Sequence, residues 1–165
     1  RQMGRSAAGV RGMKLRPNDN VMAADVVRWS STPKEKAPDP DLLIVLENGF
    51  GKRTALHHFT LQQRGGIGMR AAHCTARTGN IIGMYVVANY DADVLIMSGQ
   101  GQTLRTSLSS VKRLGRDTQG VTLVRLPVGD KVASVAVLDS EIIQPDDSTK
   151  TVAPAPTKVK NKVTK

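Results

Sequence analysis

The chain repeats itself. The stretch DLLIVLENGFGKRT begins at Asp41, and DVLIMSGQGQTLRT begins at Asp93, 52 positions on. At that spacing Leu43 meets Leu95, Ile44 meets Ile96, Gly49 meets Gly101, Arg53 meets Arg105 and Thr54 meets Thr106. The register continues through Leu56 and Leu108, Arg64 and Arg116, Gly68 and Gly120, and Val86 and Leu138. A third, partial copy sits at the N-terminus. GRSAAGVRGMKL from Gly4 matches GRDTQGVTLVRL from Gly115, 111 positions on, and Asp19 then meets Asp130. Such self-similarity means an array of supersecondary units, each burying its apolar face against a neighbour.

Each unit reads as strands. LLIVL and VLIM are short aliphatic runs bounded by turn residues, GVTLVRL alternates, and NIIGMYVV and KVASVAVL follow as further strands. Asn48-Gly49 is a two-residue turn signal between two of them. No segment holds a helical period over three turns. The fold class expected is all-β, a propeller-like array of small antiparallel sheets. Residues 1–40 are expected to be the C-terminal half of one unit plus a long polar loop, Arg28 to Asp41. Residues 41–92 and 93–140 are expected to be full units, and 141–165 a disordered basic tail of Pro, Thr, Lys and Val. Partial repeats that do not close a ring leave an edge strand open, so the array is expected to be marginally stable alone or to self-associate.

The net charge is +10 and the tail carries only +2 of it, so the body itself is basic. That balance favours a polyanionic partner, DNA or RNA before membrane or acidic protein. Aromatic residues are only 3%, too few for a base-stacking platform. One cysteine, Cys74, excludes an internal disulfide framework and suits a reducing compartment. No run of 18 apolar residues and no signal peptide is visible, and the chain, which begins with Arg1, reads as a piece of something longer.

Several sites fail on inspection. Gly51-Lys52 would need a glycine at position 46 to form a phosphate loop, but Leu46 stands there and Arg53 replaces the magnesium-binding hydroxyl. His57, His58, His73 and Cys74 match no zinc spacing. Through the repeat, Cys74 aligns with Leu15 and Leu126 and is expected in a buried strand. His57 and His58 align with Ser109 and Ser110 on a surface turn, and His73 aligns with the basic positions Lys14 and Arg125. Asp41 and Asp93 head the same strand in each copy and read as strand-entry residues. No nucleophile elbow exists.

The recurring cations are different. Arg53 and Arg105, then Arg5, Arg64 and Arg116, then Lys14, His73 and Arg125 return at equivalent places. In an array they would form a stripe that a duplex backbone can follow and bend along. The other reading is structural, with an arginine pairing the recurrent aspartate or capping a turn.

RQMGRSAAGVRGMKL, ENGFGKRTALHHF and VKRLGRDTQGVTLVRL together resemble the last repeats of the C-terminal domain of the DNA gyrase A subunit, over about residues 1–140. The resemblance implies a partial β-pinwheel that wraps double-stranded DNA on its basic rim. Candidate contacts are Arg5, Arg11, Lys14, Lys52, Arg53, Arg64, Arg70, Arg105, Lys112, Arg113, Arg116 and Arg125. It implies a part of an ATP-dependent type II topoisomerase, with no catalytic residue and no cofactor in this segment. ATP and magnesium would bind elsewhere in the holoenzyme. Partners would be upstream blades and the breakage-reunion core of the same polypeptide, and the gyrase B subunit in a heterotetramer. The setting would be a bacterial cytoplasm, on the chromosome and not in a membrane. QQRGGIG, Gln62 to Gly68, is similar to the gyrase box, but Gln63 and Ile67 replace its Arg and Lys, so it reads as a degenerate copy. The basic tail departs from the acidic tails of some members. The alternatives are the equivalent domain of topoisomerase IV, or a propeller-like scaffold whose basic rim binds acidic proteins.

Overall fold

The computed structural model describes residues 3–27 and 39–138. Most of the expected polar loop, and the tail, lie outside the described residues. Among the described residues seven strands follow in order: β1 (Asp41–Leu46), β2 (Phe50–Ala55), β3 (Ile81–Val87), β4 (Asp93–Ser98), β5 (Thr103–Ser107), β6 (Val121–Thr122) and β7 (Val132–Leu138). They form two antiparallel sheets, ordered β3-β1-β2-β6 and β5-β4-β7. The repeat is visible in three dimensions. Short 3-10 helices at Leu56–His58 and Leu108–Ser110 stand at the repeat spacing, and His57 and His58 are exposed there, as expected.

The sequence alignment slips in the last strand. Asp41 pairs Val87 across β1 and β3, whereas Asp93 pairs Leu138 across β4 and β7. Val87, not Val86, is therefore the partner of Leu138 in the repeat. Both ladders also shift register near the end of the central strand, at Val45/Leu46 and at Met97/Ser98.

The hairpin turns differ from the two-residue form. Gly49 N–H donates to Leu46 O at 3.1 Å, and Gly101 N–H to Ser98 O at 3.1 Å. Gly49 (φ 81) and Gly101 (φ 86) are left-handed, but Asn48 is not. This is the three-residue connection in which a type I turn is followed by a left-handed glycine. Asn48 serves another purpose. Its Nδ2 donates to the carbonyls of Ala76 and Arg77, tying the hairpin to the loop before β3.

β1 is buried at all six positions because apolar surface covers both faces. Leu43 and Val45 pack with Val94, Ile96, Leu108, Val111 and Val132 of the second unit. Leu42, Ile44 and Leu46 pack instead with Ala72, Phe50, Phe59 and Ile81. Successive sheets thus stack face to face. β4 uses one face only, and Met97 on its other face is exposed.

The units are not self-contained. β6 lies within the range expected for the second unit, yet it pairs β2 of the first sheet, Phe50 with Thr122 and Gly51 with Val121. GVTLVRL contributes only these two residues to a ladder. The stretch that leads into it runs along β2 farther down, where Arg53 N–H donates to Lys112 O at 2.9 Å and Leu114 N–H to Arg53 O at 2.8 Å. One step back in the array, Lys14 N–H meets Gly66 O at 2.8 Å, and His73 N–H meets Thr118 O at the equivalent place.

Close approach of the invading segment explains two glycines. A Cβ on Gly51 would strike Leu123 Cδ1 and lie 2.8 Å from Ile44 O, and one on Gly120 would lie 2.6 Å from Gly51 O. The position equivalent to Gly51 in the second sheet is Thr103, where among the described residues no strand invades beside β5. Gly51→Ala is expected to cost about 1–3 kcal/mol through overpacking against backbone, read as a lower urea midpoint.

Candidate nucleic-acid interface

The cations divide into three groups. The first is consumed inside the fold. Lys52 is fully buried, and its Nζ donates to Gly115 O at 2.9 Å, Arg116 O at 2.6 Å and Thr118 Oγ1 at 3.2 Å. These three acceptors match the three donors of an ammonium group. Burial pushes its pKa down to about 8, with Asp117 opposing. Lys52 is therefore removed from the expected phosphate contacts: its side chain holds the invading segment onto β2.

Arg53 is also largely committed. Its guanidinium is 12% exposed, pairs with the fully buried Asp41 at 3.2 Å, and donates through Nε to Val111 O at 2.8 Å. It also stacks 4.9 Å over the Tyr90 ring. Asp41 accepts a second arginine on its other oxygen, Arg113 Nε at 2.8 Å. That hydrogen bond holds the Arg113 pKa above its usual value. The aspartate at the head of β1 is thus a cross-unit anchor, which the strand-entry reading misses. Asp93 repeats the pattern with Arg105 at 2.6 Å, but both of these side chains are more open to solvent.

The second group is exposed or half-buried, and partnered. Arg70 pairs with Asp117 at 3.2 Å, and Arg116 donates to Arg70 O at 2.7 Å. Arg113 is half exposed beside Asp41. The third group is exposed, and among the described residues no carboxylate pairs with it: Arg5, Arg11, Lys14, Arg64, Lys112 and Arg125. Arg16 and Arg77, which the sequence reading passed over, join this group, and Arg77 also stacks 5.2 Å over the Phe50 ring. These residues lie on the segments that cross from one unit to the next, or flank β6, the outermost strand of the first sheet.

Cys74 is exposed, not buried. Its counterpart Leu126 packs against the core between the sheets, whereas Cys74 opens on a groove of about 510 Å³ with Glu47, Asn48, Thr75, Gly79 and Lys131. His73 is exposed, as its basic alignment suggests. His57 contacts Asp39 at the mouth of a second groove lined by Asp41, Arg53, Tyr90 and Arg113. No helix among the described residues is long and apolar enough to cross a membrane.

Residues 1–28, 41–88 and 92–139 match the family model described as the DNA gyrase C-terminal domain, a β-propeller. The chain belongs to this family. The DNA gyrase A subunit of Aminobacterium colombiense is 40% identical over 141 residues, covering 86% of this chain and 16% of that protein. Its counterpart in Chlamydia pneumoniae is 39% identical over 85% of this chain, again 16% of its own length. That of Staphylococcus aureus is 34% identical over 93% of this chain and 17% of its own length. The chain thus spans about a sixth of these relatives. Among solved structures, a DNA gyrase A C-terminal domain superposes with a TM-score of 0.57 at 29% identity, over 61% of this chain and 34% of that one. The C-terminal domain of DNA topoisomerase IV superposes with a TM-score of 0.70 at 18% identity, over 81% of this chain and 39% of that one, a likeness of fold. The all-β, propeller-like reading of the sequence agrees with the family and with both sheets.

Proposed function

We propose that the chain is a DNA-wrapping segment of the DNA gyrase A subunit, acting through phosphate contacts on its crossing segments. The observation that carries this reading is the recurrence of exposed, carboxylate-free cations at equivalent positions. Arg5 and Arg64 form one set, with Arg116 as its partnered member, and Lys14 and Arg125 form another. A single cation of this kind is a solvated surface charge. A set repeated at the spacing of the units is a track for a line of phosphates.

The revised contact set is Arg5, Arg11, Lys14, Arg64, Lys112 and Arg125, with Arg70, Arg105, Arg113 and Arg116 at the margin. Lys52 and Arg53 act by holding the rim together. Binding is read as log K against log salt on linear duplex, in the full-length polypeptide. Arg64→Ala combined with Arg125→Ala is expected to flatten the slope by about 0.9 for each phosphate no longer neutralised. Arg53→Ala is expected to leave the slope unchanged. An unaltered slope in the double variant would remove those two residues from the interface.

In this reading the segment supports ATP-dependent negative supercoiling by an enzyme whose cleavage core lies upstream and whose ATPase resides in the gyrase B subunit, on a bacterial chromosome. ATP and magnesium belong to those other parts. Relatives named as the gyrase A polypeptide, 34–40% identical, favour it over the topoisomerase IV domain, matched at 18%. Wrapping chirality, read from plasmid topology after nicking and ligation, separates the two. Failure to bind DNA at low salt would favour the protein-binding scaffold.

A further inference from the structure

Arg113 is pinned twice, in its backbone and in its side chain. The carbonyl before it, Lys112 O, accepts from Arg53 N–H at 2.9 Å, and the N–H after it, of Leu114, donates to Arg53 O at 2.8 Å. Arg113 therefore lies opposite Arg53 in a short parallel bridge. Its Nε donates to Asp41 Oδ1 at 2.8 Å, and that carboxylate is wholly enclosed. The guanidinium is nevertheless 49% exposed, and its two Nη groups take no partner among the described residues. Arg53, on the same aspartate, is the contrast. Its Nε, Nη1 and Nη2 turn inward to Val111 O, Asp41 Oδ2 and Ser109 O, and it is 12% exposed. One aspartate thus buries one arginine and aims the other outward.

Arg113 lines the groove of about 440 Å³ that it shares with Asp39, His57 and Tyr90. The charge there favours an anion. Asp41 is matched by Arg53 and Arg113, Asp39 is turned to His57, and the neighbouring Lys112 is exposed with no carboxylate partner among the described residues. Three cations stand against two carboxylates before any proton on His57 is counted. A planar guanidinium with both Nη groups free matches two oxygens of one phosphate, which an ammonium does not. A flexible cation gives up rotamer freedom when it grips a phosphate, whereas Arg113 is ordered beforehand. An acidic protein side chain would satisfy the same fork. The exposed cations recurring along the crossing segments favour the phosphodiester, the anion that comes in rows. We propose that Arg113, aimed by Asp41, is a fixed phosphate fork of the rim: it grips one backbone phosphate through Nη1 and Nη2 and sets the register of the duplex, while the unpinned cations supply attraction without register. The proposal rests on the DNA-wrapping reading and moves Arg113 from the margin of the contact set to its centre. Asp41 is then a positioning residue for DNA as well as an anchor between units.

The test uses the full-length polypeptide and a linear duplex. A dicarbonyl reagent that bridges the two Nη atoms of an arginine reports on the fork without any substitution, with labelling at each arginine read by mass spectrometry. Arg113 should label readily in the free protein and about tenfold more slowly at saturating duplex, since each charged hydrogen bond that must open first is worth that much. Arg113→Lys keeps the charge but loses both the fork and the tie at Nε. It should weaken binding about tenfold at fixed salt, as much as Arg113→Gln does. Urea midpoints of the two variants show whether they are folded, and the labelling of the parent decides the question if they are not. Two results would overturn the proposal and leave the DNA reading standing: duplex bound with Arg113 labelled as fast as in the free protein, or a folded Arg113→Lys that binds as tightly as the parent. A parent that fails to bind duplex at low salt would bring down the reading itself, and the proposal with it.

Discussion

Asp41→Ala is expected to cost about 3–5 kcal/mol, enough to unfold a domain of ordinary stability, because it leaves a buried cation unpaired. The carboxylate is wholly enclosed, and it holds Arg53 from its own hairpin and Arg113 from the next unit. Removing it leaves the Arg53 guanidinium in a setting only 12% open to water, with Val111 O and the Tyr90 ring as remaining company. It also releases the one side-chain tie between Arg113 and the first sheet among the described residues. Urea unfolding of the two variants Asp41→Ala and Asp93→Ala makes the comparison. The Asp93 pair is largely solvated, with Arg105 56% exposed, so its loss should cost under about 1 kcal/mol. Equal losses at the two positions would show that burial is not what distinguishes them.

Lys52→Met is expected to cost about 3 kcal/mol, since a thioether fills the space but removes the side-chain donor to Arg116 O and leaves Gly115 O and the Thr118 hydroxyl with only each other. The affected acceptors, Gly115 O, Arg116 O and Thr118 Oγ1, all belong to the loop that leads into β6. The first sheet should therefore lose its outer strand before its centre, and β2 amides should exchange faster than those of β1. The ammonium also leaves a signature in pH. Its folded pKa is near 8 and its unfolded value 10.5, so between those values the unfolded chain binds more protons. Stability should rise with pH across that window, and it is unaided by this group below pH 8. The rise is measured as the difference between the parent and Lys52→Met over the same range. A parent curve parallel to that of the variant would mean that burial does not penalise the charge.

The repeat carried much of the architecture into view. Hydrophobic runs at a fixed spacing located β1 and β4, and the two 3-10 helices fell at the same spacing, because each unit solves the same local packing problem. The register slip at Val87 escaped because alignment follows residue identity, whereas a ladder follows hydrogen bonds. Lys52 was the larger miss. A lysine beside an arginine in a glycine-rich hairpin reads as surface charge, and its three acceptors lie more than sixty positions away in the next unit. One signal was present: Lys52 faces Leu104 in the repeat, and a position that alternates between lysine and leucine suits an interior. Arg53 was correctly singled out as recurrent, but recurrence marks a shared structural need as readily as a shared contact. The aspartate twelve residues before it, repeated in both copies, was the clue to which need it served.

The strand exchange between units has a consequence for synthesis. β1, β2 and β3 are complete once Val87 has left the ribosome, but the outer edge of β2 stays bare until Thr122 follows. During that interval a row of unpaired backbone groups faces solvent beside a lysine whose acceptors have not yet been made. Each blade of such an array is finished by its successor, so the growing chain always trails one open edge, and any pause in translation between the two lengthens its exposure to other chains.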